Sequence, residues 1–262
     1  MSGGDEGEME DPKALFERAL AARGLAVKEA LPDGSFVVAS GEIDYTVNLD
    51  NTTRDYQRDR DPAVFDRLVD LLVARDATMA PWEEIRGHVY YYAVPADLDF
   101  EGVPVKHVSR EVARIVVHDD EAAKALTWIT ESMLDEWGID HPTLNAAAAE
   151  NLARQVRKTE IEIQEVAGHR VALLVTATPF KASFIFSPAI KELVGPELGW
   201  PVFAVIPCRD FALIVPDADA DLLGQLGPTV VREFKASGHP ISTEVLHITD
   251  EGIEAIGAYE RD

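Results

Sequence analysis

Four apolar side chains, Ile43, Tyr45, Val47 and Leu49, alternate with Asp44, Thr46 and Asn48. This is the period-two pattern of a strand with one buried and one wet face. Upstream, Ala14, Leu15 and Leu20 suit a short helix that Gly24 stops. Leu25–Leu31 and Phe36–Ser40, joined by Pro32-Asp33-Gly34, then predict a β-hairpin. A polar loop is expected after Leu49. Asp61 and Pro62 next supply an N-cap and a first-turn proline for a helix that aligns Phe65, Leu68, Val69 and Leu72. Val89–Val94 and Val112–Val117 predict two more strands, with Pro95 and Pro104 in the long loop between them.

Thr130 is placed to cap a short helix ending at Gly138. Asp140 and Pro142 open a longer one, in which Leu144, Ala148, Leu152 and Val156 recur every four residues. Strands are predicted at 161–166, 171–176 and 183–186, and a short helix at 189–194. Val202–Ile206 and Phe211–Val215 flank the turn Pro207-Cys208-Arg209-Asp210 as a hairpin. Residues 219–236 predict a helix interrupted at Gly227-Pro228, and 241–248 a final strand.

The chain therefore reads as α+β. Residues 12–136 and 141–236 give the same string, α-β-β-β-α-β-β-α, which suggests two tandem modules spanning 12–138 and 139–262 after an acidic tail at 1–11. One continuous mixed sheet with helices on one face satisfies the same element order.

Composition narrows the function classes. The 262 residues hold 47 Asp plus Glu against 24 Lys plus Arg, a formal net charge of −23. Such a field repels phosphate backbones and anionic lipid, so neither nucleic acid nor a membrane is expected as a partner. Hydrophobic residues make up 47%, enough for a full core. The single cysteine, Cys208, excludes an internal disulfide and a cysteine zinc cage. Residues 1–11 carry five acidic and no basic groups, unlike a secretory signal, and no apolar run approaches a bilayer span. A cytoplasmic location is expected.

The usual catalytic spacings are missing. No phosphate loop, dinucleotide glycine motif, nucleophile elbow or helical histidine pair occurs. His118-Asp119-Asp120 is the best local metal-like cluster, and a solvated turn at a strand end accounts for it. Asp217, Asp219 and Asp221 resemble the start of a calcium loop, yet Leu222 and Pro228 stand where that loop needs Gly and Glu. Acids opening a helix explain them better. Glu233-Phe234-Lys235 fits an amphipathic helix, and Cys208 a small half-buried side chain. No cofactor or metal is expected.

One constellation stands out. Asp50, Asn51, Arg54 and Asp55 follow the clearest strand, and Arg209-Asp210 closes the clearest hairpin. Pseudo-symmetry would let both sets line one groove that contacts a ligand or partner. The plainer account is that each Arg-Asp pair ties down its own loop. Trp137 is expected in the core, with Glu150 and Asn151 near the exposed edge of their helix.

Four stretches resemble an uncharacterised bacterial family, the YtpQ-like proteins: Val47–Asn51 with Arg54-Asp55-Tyr56; Ile129–Ile139 running into Ala149–Leu152; Ala182–Phe186 with Pro201–Val215; and His239–Ile248. Thr52-Thr53 departs from the apolar-aromatic pair usual there. The resemblance implies a bacterial, cytoplasmic, non-catalytic protein and carries over no catalytic residue. The element string is also loosely similar to type III secretion chaperones and YbjN-like proteins, which bind other proteins. The expectation is an adaptor or chaperone-like module with a protein partner or self-association. The rival is an enzyme or small-ligand binder using the Asp/Arg groove.

Overall fold

The computed structural model describes residues 10–30, 36–40, 43–47, 49–74, 80–98, 102–120, 125–176 and 178–261. The protein is α+β, and its described strands pair antiparallel in three sheets. Two compact units divide between Ala80 and Pro81. The predicted boundary at 138/139 therefore falls inside the second unit. Residues 81–138, assigned by their element order to a first module, belong with the rest of the C-terminal unit.

In the N-terminal unit, α1 (Pro12–Ala21) leads to the strands β1 (Ala26–Ala30), β2 (Phe36–Ser40) and β3 (Ile43–Val47), in the order β1-β2-β3. The hairpin predicted here forms; its turn lies outside the described residues. Next come α2 (Asp50–Asp59) and α3 (Ala63–Ala74). Phe16 and Leu20 of α1, Phe36 and Val38 of β2, and Phe65, Val69 and Leu72 of α3 build one core. Arg23 ties the end of α1 to α3 through Asp66 (2.9 Å) and Asp70 (2.5 Å).

The loop expected after Leu49 is helix α2. Thr53 N–H donates to Leu49 O at 2.7 Å, and Arg60 closes the helix in the left-handed conformation. Almost every side chain here is polar, so no apolar stripe announces the helix. Tyr56 anchors it by burying its ring 5.7 Å from that of Phe65.

The C-terminal unit opens with α4 (Trp82–Ile85) and β4 (Val89–Pro95), followed by β5 (Lys106–His107), β6 (Val112–Asp120) and β7 (Ala125–Trp128). β4 lines one edge of β6, while β5 and β7 share the other. Helices α5 (Glu131–Trp137) and α6 (His141–Val156) follow, with the predicted caps Thr130, Gly138 and Asp140 in place. The predicted stripe Leu144, Ala148, Leu152 and Val156 is fully buried. Each of its larger members stabilises the unit by roughly 1.5–3 kcal/mol.

Next come β8 (Glu160–Val166), β9 (His169–Val175), α7 (Ala189–Leu198), β10 (Val202–Cys208), β11 (Phe211–Pro216), α8 (Leu223–Ala236), β12 (Glu244–Ile248) and β13 (Ile253–Ala258). They form a six-stranded sheet, β13-β12-β10-β11-β9-β8. Its core on the α8 side gathers Phe203, Val205, Leu213, Val215, Leu226 and Val230.

Three expectations are corrected here. Residues 183–186 are not a strand but lie in a 3-10 helix, Lys181–Phe186, whose Ser183 hydroxyl accepts the Ala93 N–H at 2.9 Å. A short, wholly buried apolar run carries no period that separates the two. Helix α8 is not interrupted, because Gly227 and Pro228 lie inside it. The Tyr259 ring sits where a side chain at Gly227 would project, and its hydroxyl donates to Leu223 O at 2.6 Å. Asn151 is not near an exposed edge but buried, donating to Arg86 O (2.8 Å) and Val89 O (2.9 Å) and so fixing α6 against β4. Glu150 is exposed as expected, and Trp137, half-buried, packs its ring 5.7 Å from that of Trp82.

Candidate functional site

The residues singled out from sequence fall in different units. Asp50 and Asn51 begin α2, Arg54 is exposed on it, and Asp55 pairs with Arg58 at 3.0 Å. Arg58 also grips Asp59 with two bonds of 2.8 and 2.7 Å. Arg209 and Asp210 form the turn between β10 and β11 in the C-terminal unit. Neither unit by itself assembles the six-residue groove.

Arg209 is closed on its surroundings. Its Nε and Nη2 donate to the two Asp210 oxygens at 3.1 and 3.2 Å. Its N–H donates to His239 O and its carbonyl accepts from Ala182 N–H. Burial works against the Arg209 charge, but Asp210 and the Tyr92 phenol outweigh it and hold the guanidinium above its ordinary range. Burial likewise pushes the Tyr92 hydroxyl up, with Arg209 opposing. The ion pair thus ties down its own hairpin.

Strand alternation sends the preceding residue, Tyr91, to the opposite face of β4. There a second arginine meets a tyrosine: the Arg114 guanidinium lies 3.9 Å from the Tyr91 ring centroid. Its Nε is buried and has no hydrogen-bond partner among the described residues. Each of the other arginines of this unit has a carboxylate oxygen within 3.8 Å. Among the described residues, Arg114 has none.

Arg114 lines a half-open cleft of about 580 Å³, walled by the extended segment Val103–Lys106, by β6 and by the start of α6. Val103, Ile115, Val116 and Leu144 give it an apolar floor. Lys106 is exposed at its edge. The one acid in its lining, Glu131, is engaged by His141 at 3.2 Å. The Tyr91 hydroxyl donates to Asn145 O at 3.0 Å, which fixes the ring beneath Arg114. No sequence motif marks Arg114; it reads as one polar position in a strand.

Other polar groups of this unit close on one another. Glu244 is buried and accepts from the Ser109 hydroxyl and from Glu111 N–H at 3.2 Å. Glu111 in return accepts from the Ser242 hydroxyl (3.0 Å), Thr243 N–H (3.3 Å) and Arg261. This clasp joins the β5–β6 turn to the start of β12. Arg261 stacks 4.3 Å from the Phe234 ring beside it, at a cavity of about 320 Å³.

The acids at 217, 219 and 221 meet histidines. Asp217 lies 2.9 Å from His247 Nε2, and Asp219 lies 3.0 Å from His169 Nδ1. Asp221 stands 3.8 Å from His169 Nε2. Asp219, Asp221 and His169 place donor atoms within 4.8 Å of one another, the group best able to hold a cation among the described residues. Each imidazole nitrogen faces a different carboxylate, so the ring itself fills the space between the acids. His118, expected at a solvated turn, lies within β6 opposite Thr127, and burial holds its imidazole below the ordinary range.

Comparison of the chain with protein-family models, with curated proteins and with solved structures finds no match. Among the described residues no helix is long and apolar enough to cross a membrane.

Proposed function

We propose that the protein is a non-catalytic protein-binding module of the adaptor or chaperone-like kind. The observation that carries this reading is the outer edge of β6. Trp128 on β7 is 48% exposed and Val105, leading into β5, 37% exposed. Their strands pair with β6 at Val117 and Arg114, three residues or roughly 10 Å apart. A half-exposed indole is the kind of anchor that concentrates binding energy at protein interfaces. The self-satisfied Arg209-Asp210 pair and Glu111-Glu244 clasp favour structural roles over catalytic ones.

Photo-crosslinking tests this. A benzophenone amino acid placed at position 128 or 105 is expected to capture a defined polypeptide in a lysate of the source cells, and one at Glu165 on the β8 edge is not. Equal capture at all three positions, or none at 128 and 105, removes the reading.

A further inference from the structure

We infer that the Arg114 cleft is a carboxylate-binding pocket that receives an acidic residue of a partner segment, flanked by an apolar side chain. The inference rests on the reading of the β6 edge as the partner-binding surface and adds the chemistry that the partner must present.

Three observations converge on it. In a chain where acids outnumber bases 47 to 24, a half-buried arginine has every statistical opportunity to find an internal carboxylate. Every other arginine of this unit has done so, whereas Arg114 has none among the described residues. Its buried Nε has no acceptor among the described residues, and an unsatisfied buried donor is costly, which marks the guanidinium as one the fold leaves without an internal partner. Its guanidinium plane is held in advance by the Tyr91 ring at 3.9 Å, so little side-chain freedom is lost when a carboxylate binds.

The cleft also selects what accompanies the carboxylate. A volume of about 580 Å³ exceeds what one carboxylate needs, and its floor is aliphatic. Lys106 adds a second positive charge at the edge, and the one carboxylate in the lining, Glu131, lies 3.2 Å from His141. The charge complementarity is therefore to one negative group with apolar atoms beside it. Val105 is an exposed apolar wall of the cleft, which suits the aliphatic neighbour of an acidic residue in a peptide better than a free small acid.

The test uses the full chain and two C-terminally amidated decapeptides, SSGLVELSGS and SSGLVQLSGS, each carrying a dye on its N-terminal amine and titrated by fluorescence anisotropy. The glutamate peptide is expected to bind roughly ten- to a hundred-fold more tightly than the glutamine peptide, the range of a charge-assisted bidentate contact. Arg114→Met is expected to abolish that difference. Equal binding of the two peptides, no binding of either at millimolar concentration, or discrimination retained in Arg114→Met overturns the inference. If Arg114→Met does not fold, the wild-type protein decides: the Arg114 Nε–H resonance moves on adding the glutamate peptide, or the inference is wrong. Sodium hexanoate that displaces the peptide at equal concentration overturns the peptide assignment, and failure to displace it supports that assignment. Crosslinking at 128 and 105 that survives without peptide discrimination leaves the protein-binding reading intact and removes this inference alone.

Discussion

Two neighbouring tyrosines on β4 each meet an arginine, and the two arginines behave oppositely. Arg209, beside Tyr92, carries its acid as the next residue and spends its charge at once. Arg114, against Tyr91, has neither an acid within ion-pair distance nor an acceptor for its buried Nε among the described residues, and it stands at the wall of a cleft. The pair that is conspicuous in the sequence is the one that the structure uses up. A group is free for recognition when the fold gives it no partner, and adjacency in sequence works against that.

The contrast can be broken or sharpened experimentally. All four tryptophans lie in the C-terminal unit, so their fluorescence in urea reports its stability. The largest effect is expected at a donor with full occupation. Asn151→Leu strands the carbonyls of Arg86 and Val89 and should cost about 2–3 kcal/mol. Arg209→Met, which releases Asp210 and the Tyr92 phenol, should cost about 1–2 kcal/mol. Arg114→Met should change stability by less than about 0.5 kcal/mol, because an idle donor is removed together with its stacking. A loss as large as that of Arg209→Met would show Arg114 to be structural.

Supplying the missing acid is the converse experiment. Val105→Asp adds a carboxylate to the wall of the Arg114 cleft at an exposed position. It should weaken binding of the glutamate peptide about tenfold through internal competition. Unchanged affinity would place the peptide elsewhere.

The smallest effect concerns pH. Burial, with His88 adding to it and Asp120 opposing, holds the His118 imidazole below its ordinary value of 6.5. The unfolded chain then takes up this proton first as pH falls. His118 therefore contributes full stability above about pH 6.5, and that contribution is lost as pH falls through 6.5 toward the folded value. Subtracting the urea midpoints of His118→Phe from those of the wild type should give a difference that declines on acidification from pH 7 to 5. A flat difference would show that the imidazole is not desolvated.

Much of the fold is legible where a local rule and a long period coincide. Helix α6 is foreseen because Asp140 and Pro142 open it and an apolar residue recurs each turn. The β10–β11 hairpin is foreseen because two apolar runs flank Pro207-Cys208-Arg209-Asp210, although β10 takes in Pro207 and Cys208 and only Arg209 and Asp210 form the turn. Helix α2 is not, since its one anchor, Tyr56, becomes informative only when Phe65 lies beside it. β7 and β13 are too short or too mixed to announce themselves without the strands that pair with them.

The sequence by itself determined an α+β chain of strongly negative charge, with the caps and stripes of its principal helices. Those properties follow from neighbours a few residues apart and from composition, which no tertiary contact alters. The division at Ala80 and Pro81, the burial of Asn151 and the isolation of Arg114 were decided by tertiary structure alone. Each depends on which groups meet across 40 residues or more: Asn151 reaches Val89, Ser183 reaches Ala93, and Glu244 reaches Glu111. Whether a polar group ends up satisfied is a property of those meetings, and the site rests on the one that did not occur.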